Sequence, residues 1–89
     1  MERRDFAWLF VQVMYCGKRV THPDWPKGSY VYLVPGSVFE VKREPLLGIL
    51  PAGTIVNYKN HIDICYGDGT FGVWSPTQAD LFAQGYDFA

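Results

Sequence analysis

His61-Ile62-Asp63-Ile64-Cys65-Tyr66-Gly67-Asp68-Gly69-Thr70-Phe71-Gly72-Val73-Trp74, followed at once by Ser75-Pro76-Thr77-Gln78-Ala79-Asp80-Leu81, decides the fold. The first part predicts two strands joined by a Gly-Asp-Gly turn, because glycine supplies the left-handed backbone that hairpins demand. The second part predicts a helix start. Ser75-x-x-Gln78 has the spacing of a capping box, with Pro76 at the first helical position. That helix is short and ends before Gly85, and Tyr86 to Phe88 is a last strand candidate.

Upstream, Tyr30 to Val34 is rich in β-formers and apolar on both faces, the pattern of a central strand. Pro35-Gly36 is a turn, and Val38 to Val41 a shorter strand. Leu46 to Leu50 fits one helical turn, closed by Pro51-Ala52-Gly53, and Ile55 to Tyr58 is another strand. Val20 to His22 fits a short strand, and Pro23 to Gly28 a loop by its punctuation. Near the start, Asp5 is a good N-cap. Behind it Phe6, Leu9, Phe10, Val13 and Met14 recur at helical spacing, and Ala7, Trp8, Val11 and Tyr15 form a second apolar stripe. Gly17 supplies the stop. The expected fold class is α+β: a single domain over residues 1–89, an antiparallel sheet with a helix near each end of the chain.

A chain of 89 residues has little interior, yet 48% of it is hydrophobic and 17% aromatic. A helix apolar on nearly every side is buried on nearly every side. One stripe of the first helix can cover its own sheet; the other argues for a neighbouring subunit. With a net charge of −1 there is no footprint for long nucleic acid. No segment is long enough to span a membrane, and the short apolar run after Met1-Glu2-Arg3-Arg4 reads as a structural helix rather than a targeting signal. Cys16 and Cys65 are too few for a disulfide framework, so reduced thiols are expected.

Catalytic patterns are thin. His61, Asp63 and Cys65 alternate along one strand face, but ligands on one strand rarely splay correctly around a metal. Cys16 at a helix C-terminus faces a dipole that opposes the thiolate. Phosphate-loop and dinucleotide fingerprints are absent from the sequence. No catalytic residue, metal site or cofactor is therefore expected. Binding chemistry is richer. Trp25 in a Pro- and Gly-rich loop and Trp74 at a strand–helix junction suit flat ligands, with core filling as the alternative. Phe6 can join them. The second helix's N-terminus suits an anion, with Ser75 and Thr77 as hydroxyl donors and Asp80 facing ribose hydroxyls. Arg43 suits phosphate, or a salt bridge to Glu40 or Glu44. Asn57 and Asn60 suit a base edge or ribose, or plain turn formation.

The succession Tyr30-Val31-Tyr32-Leu33-Val34-Pro35-Gly36-Ser37, Arg43-Glu44-Pro45-Leu46, Asn57-Tyr58-Lys59-Asn60-His61-Ile62-Asp63 and Trp74-Ser75-Pro76-Thr77-Gln78-Ala79-Asp80-Leu81 resembles a small phage-encoded family that includes the second type of Thoeris anti-defence protein. The resemblance covers nearly the whole chain. It implies a sponge for cyclic nucleotide immune signals: cyclic ADP-ribose isomers, and in some relatives cyclic oligonucleotides at separate sites. It also implies a homotetramer with pockets between subunits, working in the cytoplasm of the infected bacterial host. The matching positions are Phe6, Trp25, Arg43, Asn57, Trp74, Thr77, Gln78 and Asp80. The chain departs from the pattern in its first helix, where Trp8-Leu9-Phe10-Val11 replaces a Lys- and Glu-rich amphipathic segment. It departs again at Pro23-Asp24, where a basic residue and a glycine are common. The rival expectations are a module that blocks an immune effector directly, a metal-independent cyclic nucleotide hydrolase, and a small virion or housekeeping protein.

Overall fold

The computed structural model describes residues 3–89; Met1 and Glu2, the start of the charged stretch read above as non-targeting, lie outside the described residues. Helix α1 spans Phe6–Met14. Asp5 caps it as expected, accepting the Trp8 N–H at 3.0 Å. Gly17 (φ 63°) turns the chain out of the helix.

Seven strands follow: β1 Val20–Thr21, β2 Tyr30–Val34, β3 Ser37–Glu40, β4 Ile55–Tyr58, β5 His61–Cys65, β6 Phe71–Val73 and β7 Asp87–Phe88. A short second helix, α2, covers Gln78–Phe82, and a single 3-10 turn Leu46–Gly48. Five strands form an antiparallel sheet in the order β6-β5-β2-β1-β7, so β2 is central, as its composition predicts. Its register with β5 pairs Val31 with Ile64 and Leu33 with Ile62, and β6 joins β5 through the Gly67-Asp68-Gly69 turn. Side chains alternate across the pleat. Val20, Val31, Leu33, Ile62 and Ile64 therefore meet Leu9 and Val13 of α1 in one core, closed by Tyr86. Leu9, Val13, Val20 and Val31 are completely buried.

The structure has the expected α+β class, an antiparallel sheet with a helix near each end of the chain, and adds a detail of strand arrangement. β3 and β4 leave that sheet and pair only with each other, forming a separate two-stranded arm. Among the described residues the arm packs against no other element. The molecule is consequently 53 Å long and 21 Å across. Its radius of gyration is 16.2 Å, against about 12 Å for a compact chain of this length. Its accessible surface is 6378 Å², whereas surface scaling gives about 5,300 Å² for a compact chain of this mass. Large apolar side chains contribute to that surface. Val38 is 66% exposed, Ile55 65% and Ile49 74%, and Phe39 stacks on Tyr58 at 5.4 Å on the arm's surface.

Helix α1 divides differently from the two stripes read in the sequence. Trp8 does not face outward. It packs on the core, 5.1 Å from Phe88, with the Arg4 guanidinium 4.8 Å from its ring centre. Ala7, Phe10, Val11 and Tyr15 form the exposed face. A charge placed at Trp8 would thus disrupt the subunit's own core, and Val11 is the position that tests assembly.

Two glycines set how the parts meet. A Cβ on Gly36 would lie 2.1 Å from the Tyr58 carbonyl, so only glycine lets the arm leave the sheet at this angle. Gly67 (φ 83°) abuts the loop that carries Trp25; a Cβ there would lie 2.5 Å from the Lys27 carbonyl. Gly67→Ala is expected to destabilise the fold by about 1–3 kcal/mol, from the left-handed backbone and the clash together. A thermal melt should show a loss of about 4–8 °C per kcal/mol.

Candidate functional site

Between β6, α2 and the loop after β1 lies a cleft of about 430 Å³, lined by Trp25, Pro26, Ser29, Ile64, Tyr66, Val73, Trp74, Ser75, Thr77 and Asp80. The loop is ordered from within. Trp25 N–H donates to the His22 carbonyl at 3.0 Å, and Ser29 N–H to the Pro26 carbonyl at 3.1 Å. The Ser29 hydroxyl donates to Pro26 as well, and Thr21 Oγ1 donates to the Ser29 carbonyl.

An aromatic chain runs through the site. Phe6 lies 6.1 Å from Trp74, Trp74 5.9 Å from Trp25 at 64°, and Trp25 5.8 Å from Tyr86 at 69°. Trp25 and Trp74 touch edge to face. A base sandwiched between them would need parallel rings about 7 Å apart, two van der Waals contacts of roughly 3.5 Å. A flat ligand therefore lies on the open face of this pair rather than between its members.

Asp80 is the hub. The Trp25 indole N–H donates to its Oδ1 at 3.3 Å, and the Thr77 N–H to its Oδ2 at 2.8 Å. The Asp80 N–H donates to Thr77 Oγ1 at 3.1 Å, and the Tyr86 hydroxyl to the Asp80 carbonyl at 2.6 Å. This corrects the expected helix start. The capping box is Thr77 with Asp80, not Ser75 with Gln78, and the helix begins at Gln78 rather than Pro76. The physical reason is reach. Thr77 and Asp80 satisfy each other's N–H groups reciprocally, which Ser75 and Gln78 do not. The correction extends to the anion site, because the helix N-terminus already holds the Asp80 carboxylate.

Of the residues singled out in the sequence, the structure gathers Phe6, Trp25, Trp74, Thr77 and Asp80. Gln78 is exposed and does not line the cleft. Arg43 and Asn57 lie on the arm. Arg43 lines a separate hollow of about 380 Å³ with Phe39, Lys42, Leu46 and Tyr58. Asn57 lies beside Val38 and Lys59 in another. Among the described residues no ion pair joins Arg43 to Glu40 or Glu44; Glu44 instead accepts the Gly48 N–H at 3.1 Å. Asn60 serves its turn, accepting the Gly36 N–H at 2.6 Å. Among the described residues the cleft thus has one carboxylate and no cation in its wall.

The other polar face behaves as a structural surface. His61 Nε2 lies 3.5 Å from Asp63 Oδ1, near enough for attraction, but Oδ1 has no hydrogen-bond partner among the described residues. Loss of water and then the Asp63 charge push the facing Tyr32 phenol up from its ordinary pKa. Among the described residues no three His, Cys, Asp or Glu side chains converge as metal ligands, and both cysteines are free. Among the described residues no helix is long and apolar enough to cross a membrane.

Sequence reasoning missed Tyr66 and Ile64 as wall residues and His22 and Tyr86 as their support. Period-2 alternation would have found most of them, since Ile62, Ile64 and Tyr66 share a parity, as do Val20 and His22.

The geometry is that of a small α+β domain with an aromatic cleft and a capping carboxylate at its edge. The family is shown directly: residues 5–84 match the Tad2-like family, the Thoeris anti-defense 2-like domain, and the chain belongs to it. That membership supports a role as a phage protein acting against Thoeris defence. No individual curated protein matches the chain.

Burial holds the Tyr86 phenol up at a pKa of about 12, with the nearby Asp80 charge adding to the rise. A phenol raised above its unfolded value of 10.0 contributes stability that is complete below pH 10 and lost as pH climbs through about 12. Denaturant midpoints should fall across that window, and the Tyr86→Phe variant should lack this part of the slope. Absorbance at the tyrosinate band should show one fewer late-titrating phenol in the variant.

Proposed function

We propose that this chain sequesters a cyclic nucleotide immune signal, cyclic ADP-ribose isomers foremost and cyclic oligonucleotides besides, without cleaving it. The observation that carries this reading is the cleft where Trp25, Trp74, Ser75, Thr77 and Asp80 converge. Each base–aromatic stack contributes about 1–3 kcal/mol. Asp80 accepts one hydrogen bond at each oxygen from the protein, and a carboxylate oxygen has a second lone pair for a ribose hydroxyl.

The phosphates need a cation that the cleft lacks. Arg43 and Lys42 sit on an arm that its own body leaves unpacked. We read the arm as reaching a neighbouring copy, so that the site is completed between subunits. The exposed apolar residues of the arm and the outer face of α1, with about 1,000 Å² of surface beyond a compact chain, support a homo-oligomer, most simply a tetramer. It would act in the cytoplasm of the infected bacterium. Sequestration asks for tight binding: nanomolar affinity is about −12 kcal/mol, which needs a site rigid beforehand.

Cyclic ADP-ribose isomers mixed with excess protein should vanish from the free pool and return intact after heating. A linearised product would instead identify a hydrolase. Trp74→Ala should weaken binding by about 1–3 kcal/mol, and Arg43→Ala by about 1.5–3 kcal/mol as a lost charged hydrogen bond. Light scattering should give a multiple of 10.2 kDa; Ile55→Lys with Val38→Lys should return a monomer that has lost binding. A monomeric wild type that instead captures an immune effector protein would establish the interaction-module reading.

A further inference from the structure

We infer that His22 is a positioning residue for Trp25, a strut that fixes the indole before any ligand arrives. The inference rests on the reading of the Trp25–Trp74 cleft as the ligand site. His22 is only 8% exposed, although it opens a loop punctuated by Pro23, Pro26 and Gly28. Both ring nitrogens are engaged by backbone. The Asp24 N–H donates to Nδ1 at 3.1 Å, and Nε2 lies 2.8 Å from the Gln84 carbonyl. A backbone N–H only donates and a carbonyl only accepts, so Nδ1 is the acceptor and Nε2 carries the hydrogen. The imidazole thereby ties the Trp25 loop to a segment 62 residues away in sequence.

Trp25 is held around this strut at its backbone, its indole nitrogen and its ring. Its backbone N–H is bound by the His22 carbonyl and its indole N–H by Asp80. Tyr86 meets the imidazole edge-on at 4.9 Å and Trp25 at 5.8 Å, filling the space beneath. Asp80 holds the indole's edge, but the loop that carries it is anchored to the C-terminal segment through His22 Nε2. Removing the imidazole leaves the Gln84 carbonyl and the Asp24 N–H without partners, and frees Trp25 to sample other rotamers. A ligand must then order the loop as it binds, which lowers affinity without removing any ligand contact.

The chain has three tryptophans, Trp8, Trp25 and Trp74, so protein labelled with 5-fluorotryptophan gives three fluorine resonances, assigned by single Trp→Phe substitutions. The Trp25 signal is compared in wild type, His22→Ala, His22→Asn and His22→Gln, together with affinity for cyclic ADP-ribose. Glutamine's amide reaches the place of Nε2 and can donate to Gln84; asparagine's reaches only the place of Nδ1. His22→Ala and His22→Asn should broaden or split the Trp25 resonance and weaken binding about tenfold, the order of ordering a short loop. His22→Gln should restore both, with the Trp8 signal unmoved throughout. An unchanged Trp25 resonance in folded His22→Ala would overturn the inference, as would rescue by asparagine and not by glutamine. If the alanine variant does not fold, the Asn–Gln comparison decides. If wild-type protein takes up no nucleotide, the sequestration reading fails, and the fluorine comparison still decides whether His22 holds Trp25.

Discussion

Tyr86 is where the core and the cleft share atoms. Its ring is 1% exposed among Leu9, Val13, Val20 and Val31, yet its hydroxyl donates to the Asp80 carbonyl and its ring meets those of His22 and Trp25 in T-shaped contacts. A buried hydroxyl without a partner is costly, so the tyrosine fixes helix α2 at one height over the sheet. Through Asp80, the same bond fixes Trp25. In so small a domain the cleft walls have no separate foundation. The residues that hold α2 on the sheet also aim the indole.

The second constraint is surface. A chain of 89 residues closes one core, and this one spends Leu9, Val13, Val20, Val31 and Tyr86 on it. Phe39, Val38, Ile55 and Ile49 stay outside on an arm without a place against the body. Buried apolar area contributes roughly 25 cal/mol per Å², so covering the arm would be favourable in the proposed oligomer. Gly36 directs that arm outward, because any side chain there meets the Tyr58 carbonyl.

Much of this was legible in the residues. The central strand Tyr30–Val34, the β5–β6 hairpin and the Asp5 cap all follow from local rules, and local rules suffice where one hydrogen bond or one turn decides. The misses are tertiary. Ser75-x-x-Gln78 and Thr77-x-x-Asp80 both fit the capping spacing; the Trp25 and Tyr86 bonds to Asp80 favour the second, and Trp25 is 55 residues away in sequence. Trp8 and Val11 share a stripe at helical spacing, but Phe88 and Arg4 claim Trp8. The separation of β3 and β4 from the sheet was hidden because strand propensity says nothing about which strand is the partner.

The relocated cap changes what the cleft asks of its ligand. A free helix N-terminus would offer N–H groups to phosphate. Here Asp80 fills that place, and its charge faces a cleft with no lysine or arginine in its wall. Phosphate brought against that carboxylate would meet repulsion in surroundings drier than water. Hydroxyl groups meet the reverse, since both oxygens keep acceptor capacity. In the proposed function, a nucleotide would lie with its sugar toward Asp80, its base on the tryptophans and its phosphates outward. Outward is where an arm bearing Arg43 and Lys42 from a second copy would arrive. On this account the division of the predicted residues between cleft and arm is the arrangement that a site shared between subunits requires.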